Sequence, residues 1–187
     1  MEFFSESGRG ESEVTLPEGL LGKPLLVEAW GGLLSKTFHI QGDQEGGGIF
    51  DRKDLGSSGW GRNRSHIIVP ALYSSLQVSG DVIRKPGKWN LLIGELSTAP
   101  KLDGEISGEA SRVFSYHGGE VDASVDFGGH GCLAMYNFDG SRRRELVKRN
   151  SKFHGVVSIP GPGLIAIQSG VGGRHWGSLP PWRISLG

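Results

Sequence analysis

Apolar and polar residues alternate strictly along Val121-Asp122-Ala123-Ser124-Val125-Asp126-Phe127. A period of two places one side of a strand in a core and the other in water. Residues 12–16 and 112–116 keep the same rhythm more loosely. Residues 164–167, 67–69 and 132–136 are short runs apolar on both faces, as central strands are. No window of a dozen residues carries a helical stripe; the best helical segment, residues 141–152, has one apolar pair, Leu146-Val147, and no cap. Between these runs lie turns rich in Gly, Pro and Ser, which predicts an all-β fold with about seven strands in each half of the chain.

The pattern repeats. His66-Ile67-Ile68-Val69-Pro70, then Leu76-Gln77-Val78-Ser79-Gly80, then Trp89-Asn90-Leu91-Leu92-Ile93-Gly94 return as His154 to Pro160, Ile165-Ala166-Ile167-Gln168-Ser169-Gly170 and Trp182-Arg183-Ile184-Ser185-Leu186-Gly187. The prolines stand 90 positions apart and the tryptophans 93. Upstream, Ser7-Gly8 followed by Val14 matches Ser107-Gly108 followed by Val113. Residues 37–40 likewise match 133–136. The expectation is two tandem β-sandwich units of jelly-roll-like form, residues 1–97 and 98–187, related by internal duplication. The short polar junction around Pro100 predicts side-by-side packing with pseudo-two-fold symmetry.

A Gly-rich start and a closing strand of the form small-Gly-x-Trp-x-apolar-x-apolar occur in both halves, the second time with an insertion. This pattern resembles a tandem sandwich repeat of uncharacterised bacterial, especially actinobacterial, proteins. The resemblance implies the fold and the repeat, and no activity.

Composition narrows the function classes. Glycine reaches 32 residues without a Gly-X-Y period, which suits many tight turns and excludes collagen. Twenty basic and twenty acidic residues cancel. Zero net charge gives no global pull toward nucleic acid or an anionic membrane and favours self-association. A single cysteine, Cys132, excludes an intrachain disulfide. The start of the chain has no signal-peptide pattern and no run of about 20 apolar residues is present. A soluble cytoplasmic protein is expected, with neither nucleic acid nor membrane as partner.

Trp89 and Trp182 occupy repeated positions beside alternating apolar residues and are read as core plugs. Trp60 and Trp176 sit in glycine-rich loops beside Arg62, Arg64, Arg174 and His175. An aromatic with flanking polar side chains suits a sugar, by stacking on C–H groups and reading hydroxyls; it equally suits a protein interface. These six residues are the candidate ligand-binding set, and a non-enzymatic binding module, with carbohydrate as first ligand class, is the leading reading. A self-assembling or protein-binding sandwich is the alternative, and an enzyme with an unrecognised site the third.

No nucleophile, phosphate or dinucleotide motif is present, so no catalytic residue and no cofactor is expected. His117, Asp122, Asp126 and His130 match no ligand spacing, and no metal is expected. Cys132 follows His130-Gly131 without a group to activate it, and inert burial is expected. The run Arg142-Arg143-Arg144-Glu145-Leu146-Val147-Lys148-Arg149 reads as a solvated hairpin whose charges a period of two divides between faces, with an acidic partner as the functional alternative.

Overall fold

A computed structural model describes residues 3–32, 37–43, 53–58, 62–80, 87–169 and 180–187. The chain forms two compact units, Met1–Thr98 and Ala99–Gly187. Among the described residues there is no α-helix, only the 3-10 turns Glu18–Leu20 and Leu96–Thr98, and no helix long and apolar enough to cross a membrane.

The first unit contains β1 (Phe4–Arg9), β2 (Ser12–Thr15), β3 (Leu25–Gly31), β4 (His39–Asp43), β5 (Lys53–Ser57), β6 (Ser65–Val69), β7 (Ser75–Ser79) and β8 (Lys88–Glu95). Two antiparallel sheets result, ordered β1-β8-β3-β6 and β2-β7-β4-β5. This is the eight-stranded jelly-roll order, a sandwich of two Greek keys. Inward residues of both sheets, among them Val27, Ala29, Ile40, Leu76, Val78, Leu91 and Ile93, share one core around Trp89 and Phe38.

The second unit contains β9 (Glu105–Gly108), β10 (Arg112–Tyr116), β11 (Val121–Phe127), β12 (Gly131–Tyr136), β13 (Arg144–Arg149), β14 (Phe153–Ile159), β15 (Gly163–Ser169) and β16 (Trp182–Leu186). Its sheets are β9-β16-β11-β14 and β10-β15-β12-β13. Each strand is the first unit's strand eight places on, in the same order. Ala123, Val125 and Phe127, the apolar phase of the alternating segment, point into a core with Leu133, Ile165, Ile167, Trp182 and Ile184.

The duplication reaches the level of single residues. Gly8 pairs with Trp89, and Gly108 with Trp182. Each indole donates to a carbonyl two residues past its glycine, at 2.9 Å to Gly10 and 2.8 Å to Ala110. A Cβ on Gly8 would lie 2.4 Å from Trp89 Cζ2, and one on Gly108 2.7 Å from Trp182 Cζ2. Glycine is needed there because the ring lies flat against the backbone of the neighbouring strand. A β-bulge, with Leu55 in β5 and Leu146 in β13 as the extra residues, lies opposite the steps after Ile40 and Leu133, which face Val78 and Ile167 in equivalent strands.

Two expectations change. Among the described residues each unit has eight strands rather than about seven, because β5 and β13 are charged edge strands without an alternating signature; the run from Arg142 to Arg149 forms the expected hairpin, with β13 paired to β12. The upstream alignment also shifts: Val14 faces Leu76 and Phe114 faces Ile165, so Val14 matches Phe114 rather than Val113. By the same registers Ile40 matches Leu133, not Tyr136.

Candidate functional site

In each unit four connections meet at one end of the sandwich. In the first unit they join β1 to β2, β3 to β4, β5 to β6 and β7 to β8. Backbone hydrogen bonds tie their bases together: Gly10 N–H donates to Gly87 O at 3.3 Å, Gly32 N–H to Lys88 O at 3.1 Å and Ser58 N–H to Phe38 O at 2.9 Å. Phe38 N–H donates in return to the Ser58 hydroxyl at 3.1 Å. In the second unit Gly128 N–H donates to Pro181 O at 2.8 Å, and the Ser169 hydroxyl to Pro180 O at 2.7 Å. Rigid loop bases of this kind let the segments between them vary without cost to the core.

That variation is measurable. Leu76 and Ile165 are 89 positions apart and Trp89 and Trp182 are 93, so the second copy has four extra residues between its last two strands. The extra length falls in the connection that carries Arg174, His175 and Trp176. Those three residues and Trp60 lie outside the described residues. Of the six candidates, the structure describes Arg62 and Arg64, both exposed just ahead of β6.

Arg64 is held by neighbours that the sequence reading missed. Its Nη1 donates to Glu28 Oε2 at 3.0 Å, and its guanidinium carbon lies 4.5 Å from the centre of the Trp30 ring. His66 Nε2 stands 3.7 Å from Glu28 Oε1. Val27 and Ala29 point into the core, so Glu28 and Trp30 must face the other way, Glu28 across from His66 on β6 and Trp30 near Arg64, which immediately precedes that strand. The signal was present in Leu25–Gly31, where a charge and a tryptophan share one phase; the surrounding apolar residues hid it. The His66 ring and then the Arg64 guanidinium hold the Glu28 carboxyl below the usual carboxylate range, against the opposing effect of burial. Of these contacts the Arg64 hydrogen bond is the firmer, since 3.7 Å is beyond hydrogen-bond reach. Arg64 carries further donors beyond the Nη1 that bonds Glu28, and half of its side chain is exposed.

The remaining candidates are placed as follows. Trp89 and Trp182 are buried in the two cores. His117 stacks on Phe138 with ring centres 4.9 Å apart, while Asp126 pairs with His154. Among the described residues no three His, Cys, Asp or Glu side chains gather as a metal site would require. Cys132 is fully buried, and burial pushes its thiol pKa up despite an Arg143 nitrogen 3.3 Å from the sulfur. A thiol in that state is a poor nucleophile. The arginine run departs from period two because the bulge leaves Leu146 without a partner. Arg144, Val147 and Arg149 therefore share the phase of the inward residues Met135, Leu133 and Gly131, while Glu145 and Lys148 take the opposite phase.

No protein-family model matches the chain, and no curated protein matches it. Among solved structures, the CUB1-EGF-CUB2 domain of human MASP-1/3 aligns over 99% of both chains at 9% identity, with a TM-score of 0.27. A β-glucuronidase from Bacteroides uniformis aligns over 96% of this chain and 22% of its own length, at 14% identity and a TM-score of 0.29. A cupin 2 conserved barrel domain protein from Leptotrichia buccalis aligns over 100% of this chain and 89% of its own, at 12% identity and a TM-score of 0.21. Likenesses this distant carry no weight for function, and the fold rests on the chain's own strand order.

Proposed function

We propose that this tandem jelly roll is a non-enzymatic binding module whose ligand surface is the loop-bearing end of its sandwiches, and that the ligand is a carbohydrate. The observation that carries the reading is the Trp30–Arg64–Glu28 set beside exposed Arg62. A guanidinium fixed by a carboxylate and an aromatic ring keeps donors free for hydroxyl groups at little entropic expense. Trp60, two positions before Arg62 in the chain, would supply a stacking face for the first unit, and Trp176, with Arg174 and His175, would supply one for the second. The two repeated tryptophans, Trp89 and Trp182, take no part because each fills a core.

The test is glycan-array binding by the full chain and by a variant carrying Trp60→Ala and Trp176→Ala. The expected result is a defined set of glycans bound by the parent and lost in the variant, with unchanged thermal unfolding. Binding that survives both substitutions removes the loops as the ligand surface.

A further inference from the structure

The second unit has an open side. Among the described residues β13 hydrogen-bonds only to β12, and β14 only to β11, so these two strand edges are unpaired there and lie near each other across the sandwich. Between them runs a groove of about 330 Å³, lined on the β13 side by Arg144, Leu146, Val147, Arg149 and Glu145, whose carboxylate is paired with Arg143, and on the β14 side by residues that include Phe153 and Val157. The bulge at Leu146 aligns the groove's charges: Arg149 faces Gly131 and Arg144 faces Met135, so the two arginines lie four ladder positions apart in one phase, with Val147 between them. At the strand rise of about 3.3 Å that separation is roughly 13 Å. Arg149 sits over the Phe153 ring at 5.0 Å. Among the described residues neither Arg144 nor Arg149 has a carboxylate partner, whereas neighbouring Arg143 is paired with Glu145 at 3.5 Å.

We propose that this groove is a docking site for an extended acidic peptide segment, which adds as a strand to the free edge of β13. A free edge offers a row of main-chain donors and acceptors that only another extended backbone satisfies in register. The ladder then fixes the side chains. Carboxylates at positions i and i+4 meet Arg149 and Arg144, and an apolar residue at i+2 rests on Val147 against Phe153 and Val157. A second copy of this chain is disfavoured, since pairing β13 with itself would set arginine against arginine. The first unit lacks the arrangement: counted from the shared bulge, Lys53 stands in the place of Arg144, but buried Ser58 stands in the place of Arg149. The site thus belongs to the second copy alone.

The test is fluorescence anisotropy of a labelled peptide, Thr-Glu-Thr-Val-Thr-Glu-Thr, titrated with the full chain at about 0.05 M salt, where exposed charges are weakly screened. Saturable binding is expected, weakened about tenfold by Arg144→Gln with Arg149→Gln and changed less than about twofold by Lys148→Gln with Lys152→Gln, which removes equal charge outside the groove. An isomeric peptide with its glutamates two positions apart, and a peptide N-methylated on alternate main-chain amides facing β13, should each bind at least about tenfold more weakly. These two comparisons need no altered protein, so they hold even if a variant misfolds. Equal binding of either altered peptide overturns the proposal. So does equal weakening by the two lysine substitutions, absence of saturable binding, or equal competition by a sulfated oligosaccharide, which would mark a general polyanion surface.

Discussion

The same sheet face differs almost completely between the two copies. In the first unit the face of β3 and β6 turned away from the core carries Glu28, Trp30 and His66, with Arg64 immediately before β6. The equivalent positions on β11 and β14 are Ser124, Asp126, His154 and Val156. One face builds an aromatic–guanidinium–carboxylate set, the other an Asp126–His154 pair beside an Arg183–Glu105 pair. The inward face changes far less: the paired glycine and tryptophan, the bulge and all eight strand positions recur. Core packing tolerates few alternatives, because volume and register must both be kept. An outward residue need satisfy only its nearest neighbours, so duplicated units diverge there first.

The strongest way to break that comparison is to remove its anchor in each copy. Trp89→Ala and Trp182→Ala should each destabilise the chain by about 3–5 kcal/mol, through lost burial and a residual cavity. Urea denaturation of both variants measures this; a loss below 1 kcal/mol in one copy alone would show that the two indoles do different jobs. Next in size come Gly8→Ala and Gly108→Ala. The added methyl must push a ring that is packed on its other side, costing about 1–3 kcal/mol. The closer approach at Gly8, 2.4 Å against 2.7 Å, makes the first copy the more sensitive. The reverse order of melting temperatures would contradict the close-approach account.

The inward pattern is also what the sequence makes legible. Trp89 and Trp182 announce themselves by recurring before alternating apolar residues, and β11 by its strict period of two. β13 was legible as half of a hairpin, but an edge strand needs no apolar phase to mark its faces, and its bulge breaks the parity by which Arg144 and Arg149 could be seen to share one. Trp30 stayed hidden for the opposite reason: Leu25, Leu26 and Val27 make its strand read as apolar throughout, so the outward phase is lost among core residues. Partnership across sequence is harder still. Arg64 and Glu28 are 36 residues apart and meet only because β6 pairs with β3. The loop tryptophans Trp60 and Trp176 stand out by local composition alone, which names a chemistry and not a geometry.

The smallest expected effect separates the two outward faces by their response to acid. The Glu28 carboxyl is held below its ordinary pKa of about 4.5 by His66 and Arg64, and its side chain is only 16% exposed. A carboxylate with a depressed folded-state pKa adds stability that is fully present above the unfolded value and lost as the pH falls through the folded one. Ser124, its counterpart, has no such group to protonate. The urea midpoint of the parent should therefore exceed that of Glu28→Gln at about pH 7, and the margin should shrink as the pH falls below about 4.5. Ser124→Ala should leave the pH profile of the parent parallel throughout. A Glu28→Gln margin that stays constant to pH 3 would mean that the carboxylate charge contributes nothing, and that Arg64 is held by the Trp30 ring alone.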